Sequence, residues 1–207
     1  MARKKKGKLA VISGFSGVGK GTVVKRLVEE YPYQLSISAT TRGMREGEVD
    51  GKSYHFISKE EFEKRIQEDD FFEYAQYVGE YYGTPKSFVL EELKKGNNVI
   101  LEIESEGAFK VKKQLPEAML IFMLPPSMAE LKRRLVGRGT ETEEKIRQRL
   151  EKAKEVELGR AAMYDFLIVN DDVETCTKEL NRLIKTGKGI RPEESELLPA
   201  LEKESDL

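Results

Sequence analysis

The sequence predicts an α/β fold, a parallel sheet flanked by helices. Three observations carry that prediction. Four short runs, Leu9–Ile12, Val99–Ile103, Met119–Leu124 and Phe166–Val169, are apolar at neighbouring rather than alternate positions. That is the pattern of strands buried on both faces. Between them lie segments whose apolar residues recur at helical spacing. A glycine-rich stretch, Gly14-Phe-Ser-Gly-Val-Gly-Lys-Gly-Thr22, joins the first run to the first helical segment. Strand then helix, repeated, closes into a parallel sheet through right-handed crossovers.

Behind the first strand, Val23, Val24, Leu27 and Val28 share one helix face. Met128, Leu131 and Leu135 do so behind the third strand, and Val173, Cys176, Leu180, Leu183 and Ile184 behind the fourth. Residues from about 37 to 89 break this rhythm. Tyr54–Phe88 holds ten of the chain's 17 aromatic residues, which suggests an inserted subdomain with its own packed core. Within it Phe71–Tyr77 reads as a strand, and strict alternation puts Phe71, Glu73, Ala75 and Tyr77 on one face. Arg133–Ala162 is charge-rich and helical. Thr140 and Glu143 have the spacing of a capping box that starts a helix near Glu141. Residues 188–207 carry six acids against three bases and read as a mobile or loosely docked extension. The basic segment Arg3–Lys8 reads as a solvated end.

Composition excludes several classes. The 207 residues, with 36 bases against 37 acids, leave a net charge of −1. That disfavours nucleic-acid binding by bulk electrostatics. The longest apolar run, Ala118–Leu124, is far short of the roughly 20 residues of a membrane span. The apolar stretch behind the basic start is also shorter than the about 7–15 residues of a secretory leader. One cysteine, Cys176, and one histidine, His55, provide neither a disulfide framework nor a Cys/His metal cluster. The expectation is a cytoplasmic protein with no membrane association.

The glycine-rich stretch fits G-x-x-x-x-G-K-[ST] in outline and stands between strand and helix, as that pattern requires. Glycines let successive N–H groups turn toward phosphate oxygens, and the helix N-terminus adds positive potential. Lys20 supplies a cation for the β- and γ-phosphates. The candidate triphosphate-binding residues are Gly14, Phe15, Ser16, Gly17, Val18, Gly19, Lys20, Gly21 and Thr22. Gly21 stands where Ser or Thr usually meets Mg²⁺, and Thr22 is the next residue. The Gly-Lys-Gly-Thr ending resembles the loops of nucleoside monophosphate kinases.

The rest of the chain resembles guanylate kinases more closely. The matching segments are Ser38-Ala-Thr-Thr-Arg42-Gly-Met-Arg45-Glu-Gly-Glu, Gly51-Lys-Ser-Tyr54-His-Phe, Phe72-Glu73 and Tyr81-Tyr82-Gly83-Thr84. Further along come Leu101-Glu-Ile-Glu104 with Gly107, Pro125-Pro126-Ser127, Arg138-Gly-Thr-Glu-Thr142 and Val169-Asn170-Asp171. They fall in family order over residues 8–187. The resemblance implies transfer of the γ-phosphoryl of ATP to GMP, with dGMP a further acceptor. It implies an acceptor phosphate held by Arg42, Arg45, Tyr54 and Tyr82. Guanine donors would be read by Glu73 and Glu104, and its O6 by Thr84 and Ser38. Asn170 joins the ATP site, and Arg134, Arg138 and Arg149 match lid arginines. Lys20, Arg42 and these three arginines would stabilise the transferring charge. Mg²⁺ would rest on ATP phosphates and water, with Thr22 and Glu102 as the protein oxygens left open to it. Many members carry Asp where this chain has Glu102 and Glu104, Gln where it has Glu106, and Pro where it has Phe15.

The layout this implies is a domain at 5–187, with core 5–36, 90–133 and 160–187. A GMP-binding insert occupies 37–89, a helical lid 134–159, and an acidic tail 188–207. The acceptor phosphate is largely dianionic at pH 7, so no general base is needed, and His55 reads as structural. Three competitors are weaker. An AMP kinase conflicts with the Ser38–Arg45 and Tyr81–Thr84 segments. A scaffold-type binding module conflicts with the intact Lys20 loop. A GTPase would show an Asn-Lys-x-Asp motif. The sequence leaves a homo-oligomer open.

Overall fold

The four apolar runs become strands behind which helices alternate. The computed structural model describes residues 6–139 and 142–204. In chain order the elements are β1 (Leu9–Gly14), α1 (Lys20–Glu30), β2 (Tyr33–Leu35), β3 (Ala39–Thr40), β4 (His55–Phe56) and α2 (Lys59–Gln67). Next are β5 (Phe71–Tyr77), β6 (Glu80–Pro85), α3 (Lys86–Lys95), β7 (Asn98–Glu102), α4 (Ser105–Gln114), β8 (Met119–Leu124) and α5 (Met128–Gly137). Then come α6 (Glu143–Lys152), a π-helical turn at Ala153–Glu157, α7 (Leu158–Ala161), β9 (Phe166–Val169), α8 (Val173–Thr186) and α9 (Leu197–Lys203).

The chain divides into two compact units. One comprises residues 32–101 and 106–118 with the chain up to Leu9; the other comprises 10–31, 102–105 and 119 onward. In the second unit β1 pairs in parallel with β8, and β8 with β9. In the first, β2 pairs in parallel with β7. Val99 N–H donates to Lys8 O, and beyond β7 Ile103 N–H donates to Ile12 O. The strand order is therefore β2-β7-β1-β8-β9. β1 is buried along its whole length, as a strand covered on both faces must be. Val23, Val24 and Leu27 of α1 are buried, as are Met128, Leu131 and Leu135 of α5. So are Cys176, Leu180, Leu183 and Ile184 of α8. The expected α/β fold with a parallel sheet flanked by helices is what forms.

The first unit also holds a smaller sheet, order β4-β3-β6-β5. Its core is aromatic. Phe62 of α2 stacks on Phe71 at 4.3 Å and on Tyr81 at 5.1 Å between ring centroids. Strict alternation along β5 fails. A bulge between Phe71 and Glu73 shifts the register, so Phe71 and Tyr74 both reach Phe62. One extra residue in a strand turns every later side chain to the other face. Helix α3 runs across residue 89, so no break in structure marks the expected end of the insert.

One further expectation is corrected, and of the two alternatives for the tail the docked one is what forms. The helix after α5 starts at Glu143, and Thr142 caps it by accepting from Lys145 N–H. Thr140 and Glu141, the expected start, lie outside the described residues. The tail docks onto the second unit. Leu167 N–H of edge strand β9 donates to Ile190 O at 2.8 Å, and Arg191 lies over the Phe166 ring. Leu198 and Leu201 of α9 are buried. The Glu204 carboxylate accepts from Met128 N–H at the start of α5. An edge strand offers unpaired backbone groups, and here the chain's own end covers one of them.

Candidate active site

The phosphate loop is shaped by what presses against it. At Gly14 φ is 153°, and a Cβ there would meet Met123 O at 2.4 Å. At Gly19 φ is 97°, and a Cβ would meet Asn170 Nδ2 at 2.6 Å. Glycine is needed at both for conformation and for space. Helix α1 starts at Lys20 with no side-chain cap at Gly19. Its first N–H groups are thus left to the loop, an arrangement suited to an anion. Lys20 Nζ donates to Gly14 O at 2.7 Å and to Phe15 O at 3.2 Å. Burial lowers the Lys20 pKa, against the opposing pull of Glu104, Glu102 and Glu157; Arg138 lowers it further.

Phe15 and Val18 are fully buried, and Phe15 packs edge-on against Phe122. Their side chains belong to the core, so only their backbone can serve a nucleotide. Asn170 is buried and donates from Nδ2 to Val18 O at 2.8 Å. Arg134 reaches the same Val18 O at 3.1 Å, Asn170 O at 2.8 Å, Asp171 O at 3.2 Å and the Glu130 carboxylate at 2.7 Å. Arg134 thus braces the loop from behind. Arg149 of α6 donates to Ser16 Oγ in the loop itself. Arg138, at the end of α5, is exposed and within electrostatic reach of Lys20.

Glu102 and Glu104 stand at the end of β7 in the same unit. A Cβ on Gly21 would lie 3.6 Å from Glu102 Oε1, an ordinary contact. The carboxylate therefore adjoins the position where a serine or threonine hydroxyl usually serves Mg²⁺. Glu102 keeps surface access, yet the crowding around its carboxylate raises its pKa, with Lys20 opposing and Glu104 adding to the rise. Glu104 Oε2 lies 3.8 Å from Lys152 Nζ. Among the described residues no cluster of three or more His, Cys, Asp or Glu forms a ready-made metal cage. One carboxylate beside Gly21, with the next residue Thr22 exposed, suits Mg²⁺, which takes few protein oxygens and completes its shell with phosphates and water.

The acceptor candidates other than Glu104 lie in the first unit and form two groups. Thr84 is buried, and its hydroxyl donates to Glu73 Oε1 at 2.7 Å. Burial raises the Glu73 pKa, and the Thr84 hydrogen bond partly offsets it. The backbone of Gly107 adjoins this carboxylate, since a Cβ there would come within 3.0 Å of Glu73 Cγ. In the other group, the Arg42 guanidinium lies 5.5 Å from the Tyr54 ring centroid, and Tyr54 is 6.0 Å from Tyr82. Ser38 stands just before β3, where its carbonyl accepts from His55 N–H.

Sequence reasoning passed over Glu48. Its carboxylate takes both Nη atoms of Arg42, at 2.9 and 2.8 Å, and the Arg45 N–H at 2.8 Å. Arg42 holds the Glu48 pKa down at about 2, with the Arg45 N–H helping. The available signal was an acid three residues after one arginine and six after another, within a short loop. Nothing in that spacing says that a turn folds the acid back.

A phosphate-cradling loop between the first strand and first helix of a parallel sheet, braced by Asn170 and Arg134, defines a phosphate-loop α/β protein. Comparison with known proteins is more specific. The guanylate kinase family model matches residues 6–187. The guanylate kinase of Clostridium acetobutylicum is 51% identical over 184 residues, 89% of this chain and 88% of the relative. That of Caldanaerobacter subterraneus subsp. tengcongensis is 52% identical over 189 residues, 91% of each chain. A crystal structure of guanylate kinase from Anaplasma phagocytophilum aligns with a TM-score of 0.70 at 31% identity, over 97% of this chain and 96% of that one. The chain belongs to the guanylate kinase family, and so to the nucleoside monophosphate kinases, as the motif resemblance implied.

Proposed function

We infer that the protein transfers the γ-phosphoryl of ATP to GMP, giving ADP and GDP, and accepts dGMP as well. The observation that carries the choice of guanine is the half-buried Glu73 carboxylate, oriented by the Thr84 hydroxyl. Guanine offers N1–H and N2–H₂ side by side, and a carboxylate matches both. Thr84 donates to Glu73, so its role is to fix that carboxylate more than to reach O6 directly; Ser38 remains the candidate for O6. Glu104 is a second reader of the base. Arg42, held in orientation by Glu48 and the Tyr54 ring, takes the acceptor phosphate together with Arg45 and Tyr82.

On the donor side the loop N–H groups bind the triphosphate, with Asn170 and Arg134 supporting Val18 from behind. Lys20 exchanges its two loop carbonyls for phosphate oxygens. Arg138 and Arg149 close over the transferring group, whose charge they neutralise. Glu102 and Thr22 would hold Mg²⁺, which would supply neutralisation of phosphate charge. The acceptor oxygen is already anionic, so alignment and charge neutralisation suffice without a proton acceptor. This reaction serves purine nucleotide metabolism by returning GMP to the diphosphate pool, and we place it in the cytoplasm.

The test is ADP formation with Mg²⁺-ATP and GMP, dGMP, AMP, CMP or UMP supplied separately. GMP should lead, with AMP roughly 10⁴-fold poorer in kcat/KM because its N1 would face a carboxylate. Glu73→Gln should lower kcat/KM for GMP by roughly 10–100-fold, as expected for a lost charged hydrogen bond. An unchanged GMP/AMP ratio in that variant would move base reading to Glu104.

A further inference from the structure

Glu157 is an acid where the fold leaves almost no water. It closes the π-helical turn Ala153–Glu157 and is 5% exposed. Acids are seldom buried this deeply without a partner, because desolvating a carboxylate is costly. Its partner is Ser105, itself 1% exposed, whose hydroxyl donates to Glu157 Oε2 at 2.5 Å. Arg160 Nη1 stands 3.5 Å from the other oxygen, Oε1. A π turn adds a residue to the helical repeat and rotates the residues beyond it about the axis. Here it brings the side chain at 157 to the inside, whereas Val156 is exposed.

Ser105 ends the short segment 102–105, which carries both Glu102 and Glu104. That segment is tied to β1 by two bonds, Ser13 Oγ to Ile103 O at 2.7 Å and Ile103 N–H to Ile12 O at 3.3 Å. Glu157 ties its far end to the helical arm that also carries Arg149 and Lys152. The arm in turn meets the phosphate loop through Arg149 and Ser16. Glu102, Glu104 and Glu157 all act on Lys20. Segment, arm and loop thus form a closed circuit within the second unit, and the Ser105–Glu157 bond joins its two acid-bearing parts.

We propose that Glu157 is a positioning residue for phosphoryl transfer: through Ser105 it fixes the segment that presents Glu102 and Glu104. This rests on the phosphotransfer reading above. Both partners of the bond are buried, so its loss acts through the placement of Glu102 and Glu104. Misplacement on the order of 1 Å can cost about 10²-fold in rate.

The experiment compares wild type, Ser105→Ala, Glu157→Ala and Glu157→Gln in steady-state kinetics at 25 °C. ATP and GMP are varied separately, and rates are expressed per folded molecule from circular dichroism. Ser105→Ala removes one oxygen and is the variant least able to disturb folding. It should lower kcat by roughly tenfold or more, and more than it raises KM for ATP. Glu157→Ala should lose at least as much. Glu157→Gln keeps an acceptor for Ser105 and should recover most of that loss. A Ser105→Ala kcat within about threefold of wild type overturns the proposal. So does a Glu157→Gln variant as slow as Glu157→Ala. Absence of GMP-dependent ADP formation in the wild type would instead defeat the guanylate kinase reading itself.

Discussion

Leu201→Ala tests the docked tail most directly. Leu201 is fully buried on α9, a helix of seven residues near the end of the described chain. Removing a buried leucine side chain costs about 2–5 kcal/mol, the transfer term plus the cavity left behind. A short terminal helix can settle into part of the gap, which favours the lower half of that range, about 2–3 kcal/mol. For a chain of this size each kcal/mol lowers Tm by about 2–4 °C. The expected fall is therefore roughly 4–12 °C, measured by circular dichroism at one scan rate without nucleotide. Truncation after Gly187 should fall further, since it also removes Leu198, the Ile190 pairing with β9 and the Glu204 contact with α5. The kcat at 25 °C should stay within about twofold of wild type in Leu201→Ala, because its side chain is buried on α9 and lies outside the phosphate loop. A Tm shift below about 2 °C in both variants would refute the docking and restore the mobile tail.

Lys20→Met should lower kcat by roughly 10²–10³-fold while the circular dichroism spectrum stays unchanged, because the Lys20 ammonium donates to carbonyls of the loop, those of Gly14 and Phe15. Turnover above a tenth of wild type would remove it from the mechanism. The Arg42–Glu48 pair predicts a pH dependence. The folded pKa of Glu48, about 2, lies below its ordinary 4.5. Its stabilisation is therefore full above pH 4.5 and is lost as pH falls through about 2. Urea midpoints of wild type and Glu48→Gln should differ near neutrality and converge toward pH 2, and a constant gap would exclude the pair as the cause.

The sequence by itself determined the parallel sheet, the phosphate loop and the family. These are local or ordered signals. An unbroken apolar run marks a strand covered on both sides, and glycines at fixed spacing mark a loop whose backbone must turn inward. The motifs from Ser38 to Asp171 keep their order whatever the packing. Tertiary structure decided which side chains are free to act. Phe15 lies in the phosphate-loop motif, yet its ring is core beside Phe122. Arg134 matches a lid arginine, but three backbone carbonyls and Glu130 hold it behind the loop. Glu48 and Glu157 look like surface acids, and only folding shows one clasping Arg42 and the other buried on Ser105. The tail's few leucines form no readable period among its acids, yet Leu198 and Leu201 are buried, and Ile190 and Glu204 meet edge strand β9 and the start of α5. Local pattern fixes backbone conformation. The partner of a charged or isolated apolar side chain lies far away in sequence, as Ser105 does from Glu157, and only the packed chain names it.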